Sequence, residues 1–464
     1  MAIPAFAATA AKTTEQTTIS TTAKKTAMKT VVYHGYEFQV PASWPVYRLD
    51  QHPTTCVRYD VHAVYLGTPG PNMQCPAGLV GRTQTVSVIP STTVAAGSGS
   101  TTVDQRQQPD GLGGTEVRAL PAVRGAITQS PAEHELRVAL GAASLGATVL
   151  ATYGTDPAVV EQVLGTLRAA PARAAQTPQS GSSRALSQPS GARASVVEQS
   201  AAASPKKAKT TVYKSWQGVP PNWPAQIVVQ PPPPPPLIHP LNGFDACTAP
   251  TLATMRVWRR QYAAVGVYIG GANSACAYGN LSAAWFRSAA AMGWGMLPTY
   301  VGPQAPCWGY QGTVINPGQA AAEGRAAGAN AVADAKLFGL APGSPVYYDM
   351  EAYDGGQSCT NAVLTFLGAW DRTVAAEGYL TGVYSSQDSG IDDMQAAAAA
   401  DKAGFTRPDA VWIALWDGKP TLDDGTLVWP IGDREKQYAG NVDATVGGIT
   451  LNIDKDVVAG PMAR

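Results

Sequence analysis

Val346-Tyr347-Tyr348-Asp349-Met350-Glu351-Ala352-Tyr353 is the stretch on which the fold and the chemistry of this chain turn. It is a short apolar and aromatic run without helical period, of the length of one buried strand, yet it holds two acids two positions apart. Side chains alternate along a strand, so Asp349 and Glu351 share a face with alpha carbons about 7 Å apart. Carboxyls that close repel when both are ionised, so one pKa rises and supplies a proton donor beside an ionised neighbour. Such a pair is the equipment of glycoside cleavage. One acid protonates the leaving oxygen while a second carboxyl group supports the cationic sugar carbon.

Outward from this stretch, short apolar runs alternate with Ala-rich segments of helical period, the signal of strands joined by crossover helices. Strands are expected at 243–246, 266–270, 295–301, 346–353, 381–385, 410–416, 436–438 and 449–453, and helices at 252–263, 282–292, 317–338 and 361–377. The last connections are too short for full helices. Eight strands favour closure, so the fold class expected for 243–464 is α/β, a (β/α)8 TIM-like barrel, with an open doubly wound sheet as the alternative.

In such a barrel function sits at the carboxyl ends of the strands, and here those ends are acidic and aromatic. Asp245 closes the first strand, Trp416-Asp417 the sixth, Gln437-Tyr438 the seventh and Asp454 the eighth. From Leu241 to Arg464 there is no histidine, which excludes Ser-His-Asp, Cys-His and His-ligated metal chemistry from this part. Phosphate-cradling glycine loops are missing as well, so carboxylate chemistry without metal or organic cofactor is the expectation. Sugar rings rest their apolar faces on aromatic rings while their hydroxyls bond carboxylates and amides. Trp416, Gln437 and Tyr438 are therefore candidates for substrate contact, with Tyr300, Tyr353 and Tyr384 at neighbouring strand ends. The competing reading is core packing for the aromatics, and helix capping or ion pairing for Asp245 and Asp417.

The rest of the chain is organised differently. Residues 30–170 read as a small α+β domain ending in strands at 135–140 and 147–152 and a helix. Asp156 caps that helix, Pro157 opens it, and Val160, Val163, Leu164 and Leu167 line one face. Residues 171–242 are an Ala/Ser/Pro-rich linker too poor in large apolar groups to fold alone, with a stiff polyproline run at 231–236. Residues 1–29 read as a disordered tail whose Ala5-Phe6-Ala7 fits the small-x-small pattern of an export signal.

Charged residues are only 14% of the chain, and the formal charge of +0 removes the simplest argument for a nucleic-acid partner. No run of about 18 uncharged apolar residues exists to span a membrane. From Gly243 onward there are 14 basic and 21 acidic residues, against 19 and 12 before it, which suggests parts with different partners. Six cysteines without a CxxC spacing point to three disulfides in an exported protein. Cys56 and Cys75 flank a Gly/Pro-rich loop. In a barrel the loops after strands one and two are neighbours, as are those after three and four, which pairs Cys247 with Cys276 and Cys307 with Cys359 at the rim of the cleft.

Taken together, Gly243-Phe244-Asp245-Ala246-Cys247, Val267-Tyr268-Ile269-Gly270-Gly271, Tyr347 to Tyr353, Gly382-Val383-Tyr384-Ser385-Ser386, Gln437-Tyr438 and Ile453-Asp454 resemble the glycoside-hydrolase-like domain DUF1906 of secreted bacterial proteins. That domain is itself similar to family 25 lysozymes. The resemblance implies Glu351 as general acid, Asp349 as its partner holding the substrate acetamido group or stabilising the intermediate, and Asp245 and Asp454 as further cleft carboxylates. It also implies the β-1,4 glycan of peptidoglycan as substrate for a secreted, wall-associated protein. Two other readings stay open: a non-catalytic carbohydrate-binding or envelope-organising module, and a different carboxylate glycosidase. The basic surplus of the first half suggests an anionic wall polymer as a second partner, met by the N-terminal domain.

Overall fold

The computed structural model describes residues 27–91, 115–140, 146–171, 240–423, 425 and 427–464. Most of the expected tail and linker, the polyproline run included, lies outside the described residues.

The N-terminal part is built mainly of strands. Strands β1 (Met28–Tyr33) and β2 (Tyr36–Pro41) form an antiparallel hairpin, whose other edge takes β10 (Arg168–Ala169). A seven-stranded sheet holds β3 (Val46–Arg48), β4 (Ala63–Leu66), β5 (Thr85–Pro90), β6 (Thr115–Leu120), β7 (Gly125–Ser130), β8 (Glu135–Leu140) and β9 (Ala147–Thr152), in the order β3-β4-β5-β9-β8-β7-β6. Helix α1 (Ala158–Gly165) follows as expected: the Asp156 carboxylate accepts from the Ala158 N–H at 2.9 Å, and Val160, Val163 and Leu164 are buried.

The C-terminal part is a closed barrel of β11 (Leu241–Asp245), β12 (Ala264–Gly270), β13 (Gly295–Tyr300), β14 (Pro345–Asp349), β15 (Leu380–Ser386), β16 (Ala410–Ala414), β17 (Arg434–Val446) and β18 (Ile449–Val458), in sequence order. Helices α2 (Leu252–Trp258), α3 (Ala283–Ala291), α4 (Ala320–Leu337), α5 (Gln357–Ala376) and α6 (Asp392–Ala399) cover its outside between the first six strands. The repeat departs from eight βα units after that. Strand β18 runs antiparallel to both β17 and β11. The cause is local: Gly447 and Gly448, with φ of 59° and 81°, make the tight turn that sends the chain straight back beside itself, and a hairpin can only pair antiparallel.

Strand alternation divides the barrel cleanly. Ala264, Leu297, Tyr347, Ala410, Trp412 and Val458 fill the inside of the ring, while Val265, Met296, Val346, Tyr348, Val383 and Val411 meet the helices. Asp349 follows the parity of Tyr347 and so faces inward.

The two parts are packed together rather than strung apart. Tyr59 N–H donates to the Ala275 carbonyl at 2.6 Å and Ala277 N–H to the Val57 carbonyl at 3.2 Å. One apolar cluster takes Leu49, Val57, Tyr65 and Leu150 from one side and Cys247, Ala275 and Ala277 from the other. Arg82, 1% exposed, crosses the boundary: it donates to the Ser274 carbonyl at 2.7 Å, to the Glu133 carbonyl and to the Glu135 carboxylate at 3.1 Å. Glu133 reaches across from the same side, accepting from Gly271 N–H at 3.1 Å and Tyr278 O–H at 3.3 Å.

The three disulfides join Cys56 to Cys75 across the Gly/Pro-rich loop they flank, and Cys247 to Cys276 and Cys307 to Cys359, the two pairs expected from barrel neighbourhood.

Candidate active site

The carboxyl ends of β11, β12, β14 and β15, together with Gln437 near the start of β17 and Asp454 in the middle of the antiparallel β18, bring acids and polar aromatics to one mouth of the ring. Gln437 is the hub. Its amide nitrogen donates to Asp245 at 2.9 Å and to Asp454 at 3.3 Å, and its oxygen accepts from Tyr384 O–H at 3.1 Å and Trp416 indole N–H at 2.7 Å. With every polar direction of the amide used, its orientation is set. Tyr268 O–H donates to the second Asp245 oxygen at 3.2 Å, and Asn441 N–H to Asp454 at 2.5 Å. Asp456 lies one step deeper on β18, where Trp412 N–H reaches it at 3.2 Å and a hydrogen bond links it to Asp245.

Strand β14 stops at Asp349, so Glu351 stands beyond the ladder rather than inside a strand reaching Tyr353. Another device places it. The Gln304 side chain, fully buried in the loop after β13, accepts from Glu351 N–H at 2.7 Å and donates to the Asp349 carbonyl at 2.8 Å. The amide thus replaces the strand neighbour that the departing β13 no longer supplies, and keeps Asp349 and Glu351 side by side. Their carboxyls are joined by a hydrogen bond. Asp349 is 2% exposed, whereas Glu351 is half-buried.

Electrostatics follow from this crowding. Burial, then Glu351 and Asp245, hold the Asp349 pKa well above the usual carboxylate range. Burial pushes Glu351 up to about 7, against the hydrogen bond from Asp349. Asp245 is raised to about 6 by burial, moderated by Gln437 and Tyr268, and Asp454 to about 8 by burial and the Asp245 charge. Buried acids that see one another retain protons through neutral pH, so the mouth presents both neutral acid donors and ionised carboxylates.

The remaining expected contacts divide by strand parity. Tyr384 points into the ring, edge-on to Trp412 with centroids 5.4 Å apart. Trp416, 58% exposed, lies over Gly440, where a Cβ would come within 2.1 Å of the indole. Tyr353 stands at the rim and donates to Asp393 at 2.6 Å. Two residues sit elsewhere than expected. Tyr300 is 1% exposed on the helix side of β13 against Tyr348, because Thr299 takes the inward position. Tyr438 packs on Leu422, Val457 and Ala459 outside the ring, because its neighbour Gln437 takes the inside. Neither faces the mouth. Asp417 pairs with Lys436 at 3.1 Å, the ion-pair reading.

Gln304, Tyr268, Asp456 and Asn441 were not among the expected site residues. Tyr268 and Asp456 share the strand parity of Asp245 and Asp454 and were legible on that ground. Gln304 and Asn441 act from irregular backbone, for which the sequence carries no periodic signal.

The C-terminal part is thus a closed α/β barrel with paired acids at one mouth of the ring. Within it, residues 256–458 match the family described as the Rv2525c-like, glycoside hydrolase-like domain. Similar solved structures are an uncharacterized B. stearothermophilus protein (18% identity, TM-score 0.33) and the Tat-secreted Rv2525c of Mycobacterium tuberculosis in complex with L-tartrate (17%, 0.34), each covering 48% of this chain and 96% of its own. The Clostridium perfringens spore cortex lytic enzyme SleM shares 8% identity at TM-score 0.31, covering 47% of this chain and 67% of its own. No curated protein matches the chain.

Proposed function

We propose that this protein is a secreted glycoside hydrolase of cell-wall glycan, of lysozyme type, in which Glu351 protonates the leaving oxygen and Asp349 supports the reacting sugar. The observation that carries the reading is the hydrogen-bonded pair itself, with the inner acid sealed and the outer one within reach of solvent. A donor titrating near 7 is matched to proton transfer at neutral and mildly acidic pH. Asp349, kept protonated, offers its O–H to Glu351 and passes to the sugar's acetamido group as Glu351 loses its proton. Asp245, the acid raised least, is the ionised group that favours positive charge at the sugar carbon. Trp416 offers an apolar ring face to the glycan and Tyr384, whose O–H is given to Gln437, a hydroxyl oxygen that accepts, and three disulfides suit an exported protein.

Glu351→Gln is expected to abolish release of reducing ends from peptidoglycan and from β-1,4 N-acetylglucosamine oligomers while Tm moves by only a few degrees. Wild-type protein that releases none anywhere between about pH 4 and 8 removes the reading.

A second reading has its own support. Asp245, Asp349 and Asp454 are each 2% exposed or less, as suits groups that shape a binding surface without reacting. Glycan binding without turnover, weakened by Trp416→Ala, selects that non-catalytic module. The basic surplus before Gly243 lies in residues 1–29 and 171–242, since 30–170 hold 8 basic and 10 acidic residues, so an anionic wall polymer is met by those flanking segments rather than by the N-terminal domain itself; wall binding that persists at high salt excludes this contact.

A further inference from the structure

Residues 71–82 of the N-terminal domain lie across the barrel mouth. The strap starts where Asn280 donates to the Pro71 carbonyl at 2.9 Å, in the loop after β12. At Ala77 its N–H donates to Asn452 of β18 at 2.8 Å. At Gly78 a Cβ would stand 3.1 Å from the Asp454 carboxylate and 4.0 Å from the Asn441 amide. It then pairs Val80 with Ser274, donates from Gly81 N–H to the Asn273 carbonyl at 2.8 Å, and abuts Gln311 in the loop after β13. The strap thus runs from the β17–β18 hairpin to the loops after β12 and β13, and covers the Asp454 side of the acid cluster.

It is also stiff. The Cys56–Cys75 bridge ties its middle, and the sulfurs of Cys56, Cys75 and Cys276 all lie within 4.8 Å of one another, so this bridge rests on the Cys247–Cys276 bridge of the barrel rim. Arg82 anchors its end. Among the described residues none crosses the opposite side of the mouth, where a depression is lined by Gly309, Tyr310, Ala352, Tyr353, Ser386 and Asp388, next to Glu351. Tyr310 is 76% exposed on that side and Trp416 is 58% exposed at the rim.

We propose that this strap is a specificity-determining wall: glycan enters only from the Tyr310 and Tyr353 side, a chain end stops against Gly78 and Asp454, and cleavage is confined to the end of the strand. The proposal rests on the glycan-cleaving reading of the same acids. Cleavage in the middle of a chain needs sugar on both sides of Glu351, and the strap occupies one of them. The partner is therefore a terminal unit of a β-linked glycan, made available by an endo-acting hydrolysis that supplies new chain ends.

The test uses the full chain on end-labelled β-1,4 N-acetylglucosamine hexamer and on wall glycan strands, with products sized at early time points. Wild type is expected to release one short product from one end. Asn452→Ala, which frees Ala77, is expected to raise the ratio of internal to terminal cuts at least several-fold. Random internal cuts by wild type, or an unchanged ratio in the variant, overturn the wall and leave glycan cleavage standing. Absence of any cleavage instead overturns the functional reading, and the wall is then judged by carbodiimide labelling of carboxyls read by mass spectrometry. There wild type is expected to label Glu351 and spare Asp245 and Asp454, with Asp454 labelling rising several-fold in Asn452→Ala. Equal labelling of Asp454 and Glu351 in wild type overturns the wall.

Discussion

Replacing Arg82 by Met tests whether the two parts of the chain are one folded unit. The guanidinium is 1% exposed and serves three acceptors: the Ser274 carbonyl across the boundary, the Glu133 carbonyl and the Glu135 carboxylate. Removing one partner of a buried ion pair while leaving the other destabilises by about 3–5 kcal/mol, because a charge is left without compensation in a low dielectric. Glu135 keeps Arg137 at 2.8 Å, which points to the lower part of that range. The orphaned carbonyls add to it, each about 1–3 kcal/mol if left unsatisfied, but they share one network and the contributions do not sum. Against a typical total of about 5–15 kcal/mol, a loss near 3–4 is readily measured by urea unfolding followed by circular dichroism and fluorescence. The loss also depends on pH. Glu133 is already raised by burial, with Arg82 pulling it back, so without Arg82 it takes a proton more easily and the destabilisation shrinks from pH 8 to pH 5. A loss under about 1 kcal/mol, or one equal at both pH values, refutes the view that this arginine holds the boundary together.

The acid cluster and its rim make four further predictions. Asp245, Glu351 and Asp454 are raised to about 6, 7 and 8, so between about pH 4 and 8 the folded chain binds more protons than the unfolded one. Stability therefore falls as pH rises through that window; Tm is expected to be higher at pH 5 than at pH 8.5, with a flatter dependence in Asp454→Asn, and a rising Tm would contradict the assignment. Cleavage is expected to follow a bell, lost below the Asp245 value near 6 as that carboxylate is protonated and above the Glu351 value near 7 as the donor is lost; kcat/KM against pH reads both limbs, and a plateau to pH 9 would exclude Glu351 as the acid. Gln304→Leu leaves Glu351 N–H and the Asp349 carbonyl without their partner, so it is expected to lower kcat at least ten-fold with KM little changed and to shift the basic limb, a change in Tm alone marking a merely structural role. Trp416→Ala removes an exposed ring and is expected to raise KM about ten-fold with Tm nearly unchanged, a stacking loss of roughly 1–1.5 kcal/mol; an unchanged KM removes it from the glycan path.

What the sequence determined by itself is whatever depends on period and adjacency. Apolar runs alternating with Ala-rich helical stretches called for a barrel. The two-residue spacing of Asp349 and Glu351 made them neighbours. Ring order paired four of the cysteines. Parity along each strand carries the same kind of information, since Tyr300 and Tyr438 must lie outside once Thr299 and Gln437 face in. Tertiary structure alone decided the rest. Gln304 holds Glu351 from a loop with no periodic mark, the Gly447-Gly448 turn reverses the last strand, and Gly78 comes to rest over Asp454 from 376 positions away in the sequence. Local spacing dictates which side chains share a face, but whether an open mouth stays open depends on a distant surface docking over it, and that is settled by complementary burial and charge between two cores.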